Sequence, residues 1–471
     1  MEAVPVSAPE WLAATDLLRL SREMNDPERV RQARQTGWER FRQLPLELNP
    51  LYRKYAYFTG MDLRGADPLV SGPPVPVPPV RPGEIQIVHD ASGTRVRIAD
   101  DLADLNIELR DLRGISQVSE AEQRAFLESG DPFSDKFQSL NVALVNRAVF
   151  LRIPDSLGRP VRVQDLSILS RPNEVLAVRR YVNPGRGNRL LYSEEVYSSS
   201  RSAEQRLYSS SVHIEPADAS DTVYFTVHAP DGQAVGFYSR HARTGRDSKL
   251  GWIFAGYDGF RTNLRNISVL ALPGGEIEDL QTTYGDAEQA SNSYVEITHA
   301  ADDTRGQSIS RGVYKDRSRG TSRGLMRIQP QTRKVVSYLS EHAMLLSKGA
   351  RSESVPGLEI LSAMDVKATH SSSVAPIDPE KVFYLQSRGI EPDHATRLIS
   401  EGFLSHVLDR APVEGLRDIL HPLLDARWER RSIGWSGEGA WRGLPPLSIS
   451  AWGAMGDWRM DTKLRDTAGR A

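Results

Sequence analysis

The hydrophobic period of the chain changes twice. Over residues 9–23, Trp11, Leu12, Leu17, Leu18 and Leu20 recur at helical spacing. Residues 27–43 continue with many charges and an apolar minority that includes Val30, Trp38 and Phe41. This predicts a helical region over 1–65. Residues 66–83, ADPLVSGPPVPVPPVRPG, hold prolines at a density that neither a helix nor a central strand accepts, so they read as an extended linker. Residues 84–145 read as a mixed entry segment. Two short strands, GEIQIVH and TRVRIAD, precede helical stretches near 119–129 and 133–145.

From 146 to 375 the pattern is of strand type. AVFLRI (148–153), RVQDLSI (162–168), VLAVRRY (175–181), TVYFTVH (222–228), ISVLAL (267–272), YVEITH (294–299) and LMRI (325–328) are separated by stretches rich in Gly, Asn and Asp. No ten-residue helical pattern interrupts them, which excludes a doubly wound α/β fold and leaves a sandwich, a barrel or a solenoid. A run of about 230 residues is large for one sandwich and suits a solenoid. The absence of a strict internal repeat makes it an irregular one.

Residues 376–432 return to the helical period. Asp378 is placed to cap a helix that Pro379 opens and Gly389 ends, with Val382, Phe383 and Leu385 on its apolar face. Pro392 opens the next helix, with Ala395, Leu398, Ile399 and Phe403 inward. A third spans about 413–430 through Leu416, Ile419, Leu420, Leu423 and Leu424, and Pro422 within it predicts a kink or break. The tail, 433–471, carries Trp435, Trp441, Trp452 and Trp458 among glycines. It reads either as an extension packing its indoles on its own domain or as a partner-binding segment.

Composition narrows the function. With 59 Lys and Arg against 61 Asp and Glu, the chain has no electrostatic footprint for nucleic acid. No apolar run approaches the ~18 residues of a membrane helix, and the first residues show no basic stretch leading into an apolar one. The expectation is a cytoplasmic protein with neither nucleic-acid nor membrane partners. The absence of cysteine excludes disulfides, thiolate catalysis, Cys-ligated zinc and a cluster held by this chain's own thiolates. No P-loop, GxSxG or HExxH occurs, and the ten histidines are scattered, so no catalytic residue is named. Arg311, Arg317, Arg319, Arg323 and Arg327 read as a solvated turn-and-strand surface.

His370 differs from the other histidines. On DVKATH, alternation puts Val366, Ala368 and His370 on one face and Lys367 and Thr369 on the other. Two readings stand: a core-facing histidine bonded to Ser371 or Ser373, or a neutral imidazole offered as a metal ligand at a strand end.

The run Leu358-Glu359-Ile360, Asp365-Val366-Lys367, His370, Phe383-Tyr384-Leu385, Ser387-Arg388-Gly389-Ile390 and Glu401-Gly402-Phe403 resembles the SufB/SufD family of iron–sulfur cluster assembly proteins, and more closely its SufD branch. Upstream, His299 with Thr304 and Ser308 is similar to the family's histidine-threonine-serine segment, and the resemblance spans about 130–425. It implies a mainly β fold, with a right-handed parallel β-helix core between N-terminal and C-terminal helical regions. It implies a non-enzymatic scaffold subunit in complex with a SufB-like paralogue, or as a homodimer, and with a SufC-like ABC ATPase. The ATPase would dock on the C-terminal part, where Phe383, Tyr384, Arg388 and Phe403 are the candidate contacts. An iron–sulfur cluster, transient and shared with the partner chain, would take a cysteine from the paralogue and a histidine from this branch, and none would be bound by this chain alone. By motif match that histidine is His370. The missing cysteines suit the SufD branch, since the SufB branch supplies thiolate. Two other readings stay open. A β-solenoid carbohydrate-active enzyme would need a ladder of acidic residues that strands 222–299 do not display. A homodimeric assembly platform without metal chemistry would leave His370 buried and unpaired.

Overall fold

The computed structural model describes residues 11–13, 15–47, 57–111, 118–411, 413, 416–429 and 435. Between Arg147 and Pro376 each strand pairs in parallel with the second strand after it. Consecutive strands therefore alternate between two sheets, one of ten strands and one of nine, and the chain winds as a parallel β-solenoid of about eight turns. Parallel stacking keeps equivalent residues in columns. One interior column runs Val163, Tyr192, Tyr224, Trp252, Asp279, Ser308, Leu339 and His370.

Both faces of the early strands are buried, and polar and charged residues such as Asp165, Arg180, Glu194 and Ser210 are buried among the apolar ones. The interior is filled by Ile85, Val163, Tyr192, Leu250 and Trp252 among others. The outer face of the nine-stranded sheet is covered by the helix Lys136–Leu144, whose Phe137, Leu140 and Ala143 meet Val175, Leu207 and Phe237. The outer face of the ten-stranded sheet is covered by the helices Pro392–Leu408 and Leu416–Trp428, through Leu404, Val407, Leu420 and Leu424 against Leu280, Ile309 and Val313.

A repeat does exist, in the backbone. Ser156, Gly187, Ala219, Asp247, Gly274, Asp303, Lys334 and Asp365 all adopt positive φ at one corner of successive turns. Only two of the eight are glycine, so composition conceals the period.

The two ends are finished differently. At the N-terminal end, the strand Glu84–Asp90 stacks in parallel on Val161–Leu169 and then turns back as the antiparallel strand Gly93–Ile98. The short strand Glu108–Arg110 closes the other sheet, also antiparallel. Leu102 is buried beneath them. At the C-terminal end the strands Arg351–Ile360 and Val366–Pro376 are the free edges of their sheets.

Several expectations need correcting. The first helix covers Leu17–Glu23, capped by Asp16, whose carboxylate accepts from the Arg19 amide at 2.9 Å. Trp11 and Leu12 precede it, and Leu12 forms a bridge with Leu63. The proline-rich segment is extended but fastened: Val75 N–H donates to Asp90 Oδ2 at 2.8 Å, and the carbonyl of Pro78 accepts from Gln86. The helix Leu416–Trp428 continues through Pro422 without a break. The arginines of 311–327 do not form one solvated surface. Arg323 is buried against Glu47, Arg327 bridges Glu296 and Glu359, and Arg319 stacks on Tyr57. In the tail, by contrast, Trp435 packs on its own domain as one of the two readings has it: it is buried, its indole donating to the Pro76 carbonyl at 2.8 Å, while Trp441, Trp452 and Trp458 lie outside the described residues.

Candidate metal-ligand and docking surface at the open end

His370 ends the interior column named above. Its register partner Leu339 is fully buried, but among the described residues no strand stacks beyond Val366–Pro376, and the imidazole is exposed. Ser371 and Ser373 do not bond it, because alternation points them to the opposite face. There Ser373 Oγ lies 2.6 Å from His342 Nδ1, and Ser371 lies near Tyr338, Ser340 and His342. Among the described residues no group of three or more His, Cys, Asp or Glu could hold a metal ion. On the last strand itself, His370 supplies the one imidazole.

Around it the surface is apolar. Ile360, Leu361, Met364 and Val374 are exposed on or between the two edge strands, Leu361 by 52%. The edge strand carries one lysine, Lys367, and proline only at its end. Few features protect it from pairing with another chain.

The four other candidate residues separate into two groups. The helix Pro379–Gln386 buries no residue at all, so Phe383 (70% exposed) and Tyr384 face outward. The exposed Arg388 guanidinium lies 5.3 Å from the Tyr384 ring centroid. Phe403 instead sits in the joint between helix and sheet. Arg311 stacks over its ring at 4.7 Å and donates to its carbonyl at 2.9 Å.

The family-like segment around His299 is internal. His299 Nδ1 lies 2.9 Å from Thr304 Oγ1 and its Nε2 lies 3.2 Å from Ser337 Oγ. Burial pushes this imidazole down to about 3, so it is a neutral structural group.

Sequence reasoning missed a charged cluster in the solenoid interior. Arg180 donates to both oxygens of Asp165 at 2.7 and 3.0 Å and to Glu194 at 3.1 Å. Tyr192 donates to Asp165 at 2.5 Å and Tyr208 to Glu194 at 2.7 Å. Burial alone would raise the Asp165 carboxyl, but Arg180 and His89 overcome it and hold the group well below the usual carboxylate range. These residues come from five strands, so no local motif announces them.

Fold and surface together define a mainly β solenoid protein with one closed end, one open end and a helical arm. The family described as SUF system FeS cluster assembly, SufBD core domain, matches residues 168–403, half of the chain. The chain belongs to this family of iron–sulfur cluster assembly proteins and is SufD-like. It is 25% identical over 346 residues to the iron–sulfur cluster assembly protein SufD of Bacillus subtilis (strain 168), covering 73% of this chain and 79% of that one. It is 23% identical over 295 residues to the SufBD family protein ycf24 of Porphyra purpurea, covering 61% and 59%. To a SufBD family protein of Mycobacterium leprae it is 28% identical over 214 residues, covering 44% and 54%. The family inferred from the motifs between Leu358 and Phe403 is thus the family of the chain. Among the described residues no helix is long and apolar enough to cross a membrane.

Proposed function

We propose that this chain is a non-enzymatic, cytoplasmic scaffold subunit whose open end is completed by a second chain. A SufB-like paralogue is the preferred partner and a second copy the alternative. The observation that carries the reading is the pair of free edge strands at 351–360 and 366–376, rimmed by exposed Ile360, Leu361, Met364 and Val374. A free edge offers backbone donors and acceptors for strand pairing, and the apolar rim adds burial.

In this reading the iron–sulfur cluster is cargo. With no cysteine in the sequence, this chain contributes the His370 imidazole and the partner supplies thiolate. A SufC-like ATPase docks on the helical arm, for which the exposed Phe383 and Tyr384 form an anchor. ATP-driven movement of the arm would then reshape the interface that holds His370. Against a carbohydrate-active enzyme stands the outer surface of the solenoid, where helices rather than an acidic cleft cover both sheets.

The test is co-purification with both partners, followed by anaerobic cluster reconstitution of wild type and His370→Ala. Loss of cluster with retention of the complex supports the ligand role. An unchanged cluster yield removes it, and failure to capture either partner removes the scaffold reading.

A further inference from the structure

In the seam between the helix Pro392–Leu408 and the ten-stranded sheet, Arg410 meets Glu278, but Arg311 meets no carboxylate among the described residues. Parallel register sets Arg311, His342 and Ser373 in one outward row and Ile309, Ser340 and Ser371 in the next. Neighbouring rungs lie about 4.8 Å apart. From above, the helix brings Phe403 and His406, three residues apart and so on one face. Arg311 is half-buried. It stacks on Phe403 and bonds that residue's carbonyl, which leaves its Nε buried with no hydrogen-bond partner among the described residues. Arg34, Arg180 and Arg427 each meet a carboxylate. Arg311 pairs with none among the described residues, and burial pushes its guanidinium down.

The neighbours respond to that charge. Burial, then Arg311 and His406, push the His342 imidazole down. Burial, then Arg311 and Arg410, push His406 down, and Asp409 opposes them. Arg410 lies 3.7 Å from Glu278, and its own Nε has no partner among the described residues. The hydroxyls of Ser373 and Ser371 flank the His342 ring at 2.6 and 3.5 Å. A guanidinium in register with one imidazole and electrostatically coupled to a second repels a metal cation. It suits a compact oxyanion, which accepts from guanidinium, imidazolium and hydroxyl donors together.

We propose that this seam is an oxyanion site that takes a phosphate-class group against Arg311, His342 and His406, with Ser371 and Ser373 as hydroxyl donors. It is separate from the His370 surface, because alternation puts Ser371 and Ser373 on the other face of the strand. A bound anion would bridge the last rungs of the solenoid to the helical arm. It would also restore the protonated imidazoles, so affinity rises as pH falls through the histidine range.

The full chain is titrated calorimetrically with sulfate, whose charge is constant between about pH 5.5 and 8, and then with orthophosphate and ATP. Saturable one-site binding is expected, tighter at the lower pH and weakened about tenfold or more in Arg311→Gln. His406→Gln, an exposed change that leaves the fold intact, is expected to weaken binding several-fold and flatten the pH dependence. Tighter binding of ATP than of orthophosphate would identify a nucleotide phosphate as the source, and equal binding a free anion. Absence of saturable heat with all three anions at both pH values overturns the site, as does binding that neither substitution changes.

Discussion

At its N-terminal end the solenoid is closed by two antiparallel strands, with Leu102, Ile98, Leu105 and Leu109 packed into its mouth. At its C-terminal end the last two strands have no further strand on them among the described residues, and Ile360, Leu361 and His370 are exposed. The winding is the same at both ends. What differs is the chain after the terminal rung. Beyond Asp90 a tight hairpin reverses it, and Gly93 at φ 129° supplies a conformation that L side chains rarely adopt. Beyond Pro376 the Asp378 cap and Pro379 send it directly into a helix. A reversed strand closes an edge, whereas a departing helix leaves it open. One end is closed over, and the other leaves its edges open to the association proposed above.

The largest expected effect lies in the closed half, where charges are buried. Arg180→Met would leave Asp165 and Glu194 without their cation and should cost about 3–5 kcal/mol in denaturant unfolding. Burial also acts on Glu195, which is pushed up to about 7 and is bonded by Ser193 and Gln164. Its folded value lies above the unfolded one, near 4.3. Its stabilising contribution is therefore complete below that value and is lost as pH rises toward 7. Glu195→Gln should recover about 3 kcal/mol at pH 8 and nothing at pH 4, as read from paired urea titrations. A smaller effect separates the two ends directly. Leu102→Ala should cost about 2–4 kcal/mol through its cavity, whereas Leu361→Ala should stay within about 0.5 kcal/mol for the free chain and weaken only association. The smallest effect on stability belongs to Phe383→Ala with Tyr384→Ala. Thermal unfolding should not move, while capture of the ATPase is lost.

Much of this architecture was legible in the residues. Alternation with Gly, Asn and Asp turns gave a mainly β core, its length and the family resemblance favoured a solenoid over a sandwich or barrel, and the change of period after Pro376 gave the helical arm. The family emerged from short motifs between Leu358 and Phe403. Features that depend on distant partners were hidden. The repeat rests on a left-handed turn conformation that Ser156, Ala219 and Lys334 share with glycine, so no residue type marks it. Arg323 and Arg327 resembled solvated charges because their partners Glu47, Glu296 and Glu359 lie far away in sequence. Phe403 and Phe383 carry equally apolar side chains on neighbouring helices. Only packing distinguishes the one in the joint from the one in solvent.

The central claim is that strands 351–360 and 366–376 form an edge that another chain completes. Amide hydrogen exchange of the chain alone and with the proposed SufB-like chain tests it most directly. The account predicts that protection on binding appears in those two strands and around His370, while the closing strand Gly93–Ile98 is unchanged. Protection confined to the closed end, or to the arm with both edge strands still exchanging freely, would contradict it.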